Sequence, residues 1–399
     1  MLKDKKIVVG VTGGIAAYKA AELVREFIRR GAHVKVVMTK NALKFITPLT
    51  LQTLSGNTVF TDMFSPLRES EIAHISLAEY ADVMVIAPAT ANIIGKIASG
   101  IANDLLTTTI MATKAPVLIC PAMNTNMYTN VIVRENIEKL ASRGYLFIEP
   151  DYGELACRSE GAGRLPEIVD IVEEVESILT LKDLKGERIL VTAGPTREPF
   201  DPVRYITNYS SGKMGYALAQ MARRRGAEVT LISGPSSLPV PPRVKFIPVS
   251  SAMEMRNAVM KNLEESTVII KSAAVADYRP AVYSGSKIKK QAGPFTISLE
   301  RNPDIISEAG TKKGKRILVG FAMESENLLE NAKTKMLEKN MDLIVANNVT
   351  EEGAGFQSDT NIVKILSRNG DVEELPVMDK VEVADRILDR IRSLLKSDR

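Results

Sequence analysis

Imidazole and thiol are nearly absent from this 399-residue chain, which holds two histidines and two cysteines. Any reaction that needs a base titrating near neutrality, or a thiol acid, therefore has two candidates of each kind. His33 follows an Arg-Gly-Ala turn and enters an apolar run, the pattern of an exposed or edge position. Cys120 ends the apolar run APVLIC, the pattern of a buried strand residue. His74 and Cys157 remain for chemistry. Cys157 stands in the Gly- and charge-rich stretch GELACRSEGAGR, unsuited to a core, with Arg158 and Arg164 close enough in sequence to tune its proton affinity. Asn124, in CPAMN, reads either as a turn former after Pro121 or as an amide whose N–H groups suit a carboxylate.

A second kind of chemistry is written in backbone. Residues 6–39, KIVVGVTGGIAAYKAAELVREFIRRGAHVKVVMT, rhyme with residues 188–233, which open RILVTAGPT and continue SSGKMGYALAQMARRRGAEVTLIS. Each is an apolar strand, a Gly-rich turn, a helix ending in Arg-Arg-Gly-Ala and a second strand, the front half of a phosphate-binding βαβ unit. No acid ends the second strand of the first copy, where Thr39 stands. A dinucleotide would need that acid for its ribose. The first turn therefore favours a mononucleotide whose phosphate meets the N–H groups of Gly13, Gly14, Ile15 and Ala16, with the Thr39 hydroxyl nearby. The second turn is no P-loop, because Met214 occupies the hydroxyl position. An oxidoreductase built on two nicotinamide-binding units is disfavoured by both glycine patterns.

The elements that must position these groups follow from periodicity. In the first half, strand-like runs at Ile7 to Val11, Val34 to Met38, Val83 to Ala87 and Val117 to Cys120 alternate with helical patterns at Ala16 to Arg29, Ile94 to Ala112, Val131 to Arg143 and Pro166 to Leu179. That alternation predicts a parallel sheet covered on both faces. The second half has runs at Ile189 to Thr192, Val229 to Ser233, Val244 to Val249, Val268 to Ser272, Ile317 to Phe321 and Leu343 to Asn347. Alternation on both sides of Asn369-Gly370 adds an antiparallel hairpin, expected to turn through type I′. The fold class is α/β, two Rossmann-like doubly wound domains, the second a mostly parallel sheet with an added antiparallel hairpin. The expected boundaries are 1–181, a polar linker at 182–188, and 189–399.

Charge and hydropathy narrow the partners. Lysine plus arginine (52) barely exceeds aspartate plus glutamate (48), which leaves no electrostatic footprint for nucleic acid. No apolar run is long enough to span a bilayer, so neither nucleic acid nor membrane is expected as a partner and a cytoplasmic location is.

Three motifs in order, EIAHISLAEYADVMVIAPATAN with the helical run after it, then CPAMNTNMY, then GELACRSEGAGRLP, resemble the homo-oligomeric flavin-containing cysteine decarboxylases. PAMN and ACRSEGAGR look like the phosphopantothenoylcysteine decarboxylase branch. The resemblance implies a flavodoxin-like domain binding FMN, with His74 as base, Asn124 holding the substrate carboxylate beside Met123, and Cys157 as the final acid. It places APATAN against the flavin ring, with Ala87, Ala89 and Asn92, and adds Thr107 to the cofactor contacts. Members assemble as trimers with flavins at subunit contacts, so a homo-oligomer is expected.

The second half resembles phosphopantothenate-cysteine ligase through TAGPTREPFDPVRYITNYSSGKMG, KSAAVADYRP, KIKK, NPDI, GFAMES and NNV. The implied substrates are 4'-phosphopantothenate, cysteine and CTP with Mg2+ or another divalent cation, and dimers form through this domain. Joining a carboxylate to an amine requires activation at the nucleotide α-phosphate, and triphosphate charge calls for lysines and N–H groups. Lys287 and the i,i+4 pair Lys335 and Lys339 are the candidate lysines. The resemblance gives Asn208 the conversion of the acyl-cytidylate and sets Asp277 and Phe321 at the nucleotide. Ser211, Gly212, Lys213 and Met214 would wrap phosphates at a helix start. Gly194, Ser272, Ala273, Asn302, Pro303, Asp304 and Ile305 complete the expected substrate contacts.

Overall fold

The computed structural model describes residues 2–64, 72–155, 160–290, 293–324, 328–348, 355 and 357–397. In it the chain forms two units, residues 1–180 and 181–399. The first is built on parallel strands β1 (Lys6–Val11), β2 (His33–Met38), β3 (Val83–Ala89), β4 (Val117–Pro121) and β5 (Leu146–Phe147), in the order β2-β1-β3-β4-β5. An antiparallel pair, β6 (Asp151–Glu154) and β7 (Glu160–Arg164), lies outside that sheet. Helices are α1 (Lys19–Arg29), α2 (Pro48–Ser55), α3 (Ala73–Tyr80), α4 (Ala91–Ala98), α5 (Leu105–Ala112), α6 (Thr125–Tyr128), α7 (Val131–Ser142) and α8 (Ile168–Leu179).

Period-two alternation divides the strand side chains between two cores. Ile7, Val9 and Val11 pack with Phe27 of α1 and Ile171 and Val175 of α8. Val8, Met84 and Ile86 pack with Ile93 and Leu106 on the other face. His33 is exposed on the edge strand β2, and Cys120 is wholly buried, as the sequence predicts. The single helix expected from Ile94 to Ala112 is instead two. Gly100 takes a left-handed φ of +70°, and an Asp104–Thr107 capping box starts α5 afresh. The stretch before Lys19 is likewise a separate 3-10 turn, Ile15–Tyr18.

The second unit contains β8 (Arg188–Ala193), β9 (Arg197–Pro199), β10 (Tyr205–Thr207), β11 (Glu228–Ser233), β12 (Lys245–Pro248), β13 (Val268–Lys271), β14 (Tyr278–Pro280), β15 (Leu299–Arg301), β16 (Ile317–Glu324), β17 (Leu343–Asn348), β18 (Thr360–Ser367) and β19 (Val372–Asp379). Its helices are α9 (Lys213–Arg224), α10 (Ala252–Leu263), α11 (Ile305–Lys312), α12 (Leu328–Glu338) and α13 (Lys380–Ser397). The main sheet runs β12-β11-β8-β13-β16-β17-β18-β19, parallel as far as β17 and antiparallel beyond. β9 pairs with β10, and β14 with β15, as separate antiparallel ribbons.

The hairpin between β18 and β19 corrects one sequence expectation. Type I′ needs positive φ at both central residues, but Asn369 is not among the left-handed positions and Gly370 is, at +96°. Ser367 O accepts from Gly370 N, and Ser367 N donates to Asp371 O, both at 2.9 Å. The result is a three-residue loop whose glycine absorbs the reversal.

The repeated Arg-Arg-Gly-Ala has a shared structural role. Gly31 and Gly226 end α1 and α9 with φ of +81° and +92°. Before each glycine the second arginine reaches the last helix of its own unit. Arg30 meets Glu26 at 2.9 Å and the buried Glu176 of α8 at 3.0 Å. Arg225, whose side chain is 4% exposed, holds Asp183 at 2.8 Å and, from α13, Asp385 at 2.9 Å and Asp389 at 2.8 Å. Among the described residues no helix is long and apolar enough to cross a membrane.

Removing the more deeply buried guanidinium should leave Asp385 and Asp389 without their ion-pair partner and Asp183 with Arg392 alone, at 3.1 Å. Arg225→Met is expected to lower unfolding free energy by about 3 kcal/mol, and Arg30→Met by less because Arg30 is partly exposed. Urea denaturation of the two variants measures the difference, and equal losses would show that burial does not set the strength of these anchors.

Candidate active sites

In the first unit strand order reverses between β1 and β3, so the chain leaves these neighbours toward opposite sides and opens a crevice at their carboxyl ends. Thr12, 2% exposed, closes the floor. Its hydroxyl donates to the Pro88 carbonyl at 2.7 Å and accepts from the Thr90 N–H at 3.2 Å. Thr90 in turn caps α4, accepting from Ile93 N at 3.5 Å. Gly13 is required by a close approach: a Cβ there would lie 2.4 Å from Asn41 Cβ and 2.8 Å from its carbonyl carbon. Thr39 joins the same crevice, donating its N–H to Val11 O at 3.0 Å.

The sequence-predicted cofactor contacts divide by location. Gly13 through Ala16 form the turn, although the Gly14 N–H already donates to Thr12 O at 3.0 Å. Asn92 is exposed in the first turn of α4. Ala87 and Ala89 are wholly buried, on opposite cores, so their side chains are packing groups. Thr107 is wholly buried, and its hydroxyl exchanges hydrogen bonds with Asp104 at 2.9 and 3.2 Å, which makes it part of the α5 cap. The crevice offers backbone N–H groups and neutral hydroxyls, a donor set that fits a phosphate.

Asn124 caps α6, its Oδ1 accepting from Asn126 N at 2.9 Å, which turns Nδ2 away from that helix. Glycines of β7 press on this segment. A Cβ on Gly163 would lie 2.1 Å from Met123 O, and one on Gly161 2.4 Å from Thr125 Oγ1. Met123 N donates to Gly163 O at 3.0 Å. The Thr125 hydroxyl is buried there without a hydrogen-bond partner among the described residues. The chain joining β6 to β7 carries Cys157, which lies outside the described residues. Cys120 cannot stand in for it, because complete burial raises its thiol pKa far above the usual value. His74 is half-buried as the second residue of α3.

In the second unit the reversal falls between β8 and β13. Again a threonine bridges it: Thr192, 1% exposed, accepts from Ala273 N on its hydroxyl at 3.3 Å and from Ser272 N on its carbonyl at 3.2 Å. Gly194 (φ +73°) and Gly212 (φ +84°) face each other, since a Cβ on Gly212 would lie 3.3 Å from the Gly194 backbone. A Cβ on Gly215 would sit 2.5 Å from Ala193 Cβ, so α9 rests directly on β8. Asn208 reaches this point by donating Nδ2 to Ala274 O at 3.1 Å, while Ala274 N donates to Gly194 O at 3.0 Å.

Around it the structure gathers some predicted residues and not others. Asn302 locks the loop of the exposed Asp277, donating its N–H to Asp277 O and Nδ2 to Ala276 O, both at 2.8 Å. After Pro303, Asp304 caps α11 and pairs with Lys339 at 2.8 Å. Burial alone would raise the Asp304 carboxyl, but the Lys339 and Ser307 hydrogen bonds outweigh it and hold it below the usual range. Lys335 is half-buried one turn earlier, its carbonyl accepting from Lys339 N. Phe321 is half-buried on β16, and Met214 packs on the same core. Three more of the expected contacts have surroundings that the sequence did not show. Ile305 is 2% exposed, its side chain a packing group of the core. Lys213 turns to Asp359 at 2.7 Å and the Gln357 carbonyl at 2.6 Å. Lys287 is exposed, although neighbouring Ile288 is tied by its N–H to the buried Asp201, held well below the carboxylate range chiefly by Arg204.

Sequence reasoning missed Thr12, Thr192, Lys271 and Gly310. The shared Val-Thr before both turns, VTGG and VTAGP, was the available signal for the threonines. Lys271 ends β13, and burial lowers its ammonium pKa; Asp304 and Asp277 oppose the fall and Lys339 adds to it. Gly310 admits the Lys339 carbonyl, which would stand 2.1 Å from a Cβ.

The family described as Flavoprotein matches residues 1–180, and the family described as DNA/pantothenate metabolism flavoprotein C-terminal domain matches residues 184–395. The chain is 50% identical, over 99% of its length and 98% of the relative's, to "Coenzyme A biosynthesis bifunctional protein CoaBC" of Bacillus subtilis (strain 168). It is 48% identical to the protein of that name from Escherichia coli (strain K12), covering 98% of this chain and 97% of the relative. With the Vibrio cholerae serotype O1 protein of that name it shares 47% identity over 97% of this chain and 98% of the relative.

Thr12→Val and Thr192→Val keep volume but leave buried backbone groups unpaired, and each is expected to cost about 2 kcal/mol. Hydrogen exchange at Thr90 N–H and Ala273 N–H should accelerate in the respective variants; unchanged protection would mean that the hydroxyls do not hold the crevices.

Proposed function

The chain belongs to the bifunctional coenzyme A biosynthesis proteins, and on that premise we propose that its second unit joins cysteine to 4'-phosphopantothenate using CTP, and that its first unit decarboxylates the product with FMN. Kinship with the bifunctional relatives from end to end is the observation that carries this reading. Two crevices of the same design, one in each unit, support it. The domain assignment follows: 1–181 for decarboxylation, 189–399 for ligation, and 182–188 between them.

In the ligase reaction the carboxylate of 4'-phosphopantothenate attacks the α-phosphorus of CTP, and pyrophosphate leaves. The cysteine amine then displaces CMP from the acyl-cytidylate. Lys339, with Lys335 and Lys287, would offset triphosphate charge. Asn208, pinned to Ala274 O beside Gly194 and Gly212, stands where its amide can orient the acyl-cytidylate for amine attack. No group of three or more His, Cys, Asp or Glu side chains able to hold a metal occurs among the described residues. A divalent cation such as Mg2+ would accordingly arrive on the triphosphate.

FMN fits the β1/β3 crevice through its phosphate, and when bound supplies reversible two-electron oxidation of the thiol-bearing carbon, which places a C=S group β to the carboxylate and lets CO2 leave. The chain's residues then manage protons and orientation. His74 accepts a proton from the substrate, Asn124 donates to the departing carboxylate, and Cys157 protonates the carbon of the resulting ene-thiolate. Trimers through the first unit and dimers through the second would form a homo-oligomer acting in the cytoplasm.

Purified protein should be yellow and release FMN on denaturation, and CO2 from 4'-phosphopantothenate and cysteine should require CTP. Cys157→Ser is expected to ligate normally yet stall after substrate oxidation. Asn208→Asp should lose ligation while still decarboxylating supplied phosphopantothenoylcysteine. A colourless protein that yields no pyrophosphate from CTP, or loss of both activities in either variant, would overturn the reading.

A further inference from the structure

Lys271 ends a central strand whose alternation sends Val268 and Ile270 into the core under α9 and α13, and Ile269 into the core under α10, α11 and α12. Period two turns Lys271 to the Ile269 side, where α11 begins and α12 ends. There its neighbours are Asp304, the α11 cap, Lys339 at the end of α12, and Asp277 on the loop after β13. Asp304 is already engaged at 2.8 Å by Lys339. Gly310 fixes this closeness, because any side chain there would push the Lys339 backbone away. Among the described residues the Lys271 ammonium has no hydrogen-bond or ion-pair partner within bonding distance. Two cations thus stand near one carboxylate that Lys339 alone engages, at the mouth of the β8/β13 crevice, and a partly buried ammonium without a counter-ion is costly until an anion arrives.

We propose that Lys271 is a substrate-binding residue that grips, together with Lys339, the polyphosphate of the nucleoside triphosphate. The inference rests on the ligase reading of the second unit and adds to its three lysines a fourth charge, aimed from the sheet itself. A phosphate oxygen gives Lys271 the counter-ion that Asp304 does not, and raises its proton affinity. Binding therefore takes up a proton at pH values between the depressed free value and the higher bound one. Affinity is greatest below that window and falls as pH rises through it.

Calorimetric titration of the full-length protein with Mg-CTP, in two buffers of different ionisation enthalpy, tests this. Across a pH series, wild type should take up a proton on binding where the pH lies between the free and the bound value. Lys271→Met should bind about tenfold or more weakly and lose the uptake. Lys271→Arg should keep affinity within about threefold yet lose the uptake, because a guanidinium does not titrate in this range. Wild-type affinity in Lys271→Met, or undiminished uptake in Lys271→Arg, would overturn the proposal. Should Lys271→Met fail to fold, Lys271→Arg decides alone. Failure of the wild type to bind any nucleoside triphosphate would instead overturn the ligase reading.

Discussion

Where strand order reverses in a parallel sheet, the carboxyl ends of two neighbours lose their regular ladder just where their chains part, and the polar backbone there is buried yet unserved. In both units a threonine hydroxyl meets that need. Thr12 ties β1 to Pro88 and Thr90, and Thr192 ties β8 to Ala273. A hydroxyl can donate and accept at once, which no apolar residue of the same shape can do. The glycine turn, the helix start and the ligand crevice all depend on this point staying closed underneath and open above.

Around it, glycines act mainly by permitting contact. Gly13 admits the Asn41 backbone, Gly215 admits β8 under α9, Gly161 and Gly163 admit the Asn124 segment, and Gly310 admits Lys339. Each close approach converts a residue distant in sequence into a neighbour of the site. The arginines of the repeated Arg-Arg-Gly-Ala do the complementary work at the opposite ends of α1 and α9. They anchor each unit's last helix through carboxylates that only the folded chain supplies.

Electrostatics separates the thiols and lysines that look alike on paper. Burial keeps Cys120 protonated and inert. Lys213, expected at a phosphate, is held by Asp359 and lies near Lys380, whose pKa is lowered to about 8, chiefly by burial. Lys271, in a strand that reads as ordinary core, emerges among charged groups.

The amino-acid sequence by itself determined the α/β class, the doubled βαβ opening, the exposed His33, the buried Cys120 and the family, because local periodicity and short motifs carry those features. Turn chemistry was only half legible: Asn369-Gly370 announced a hairpin, but strand register chose a three-residue loop. Gly100 and Asp104 together split a helix that apolar spacing alone had joined. Tertiary structure decided that Thr107 caps a helix, that Ile305 belongs to the core, and that Lys339 holds Asp304 with Lys271 beside the pair. Those outcomes turn on which distant atoms a side chain meets, and the neighbours are chosen by packing across a sheet, where residues dozens of positions apart stand in van der Waals contact.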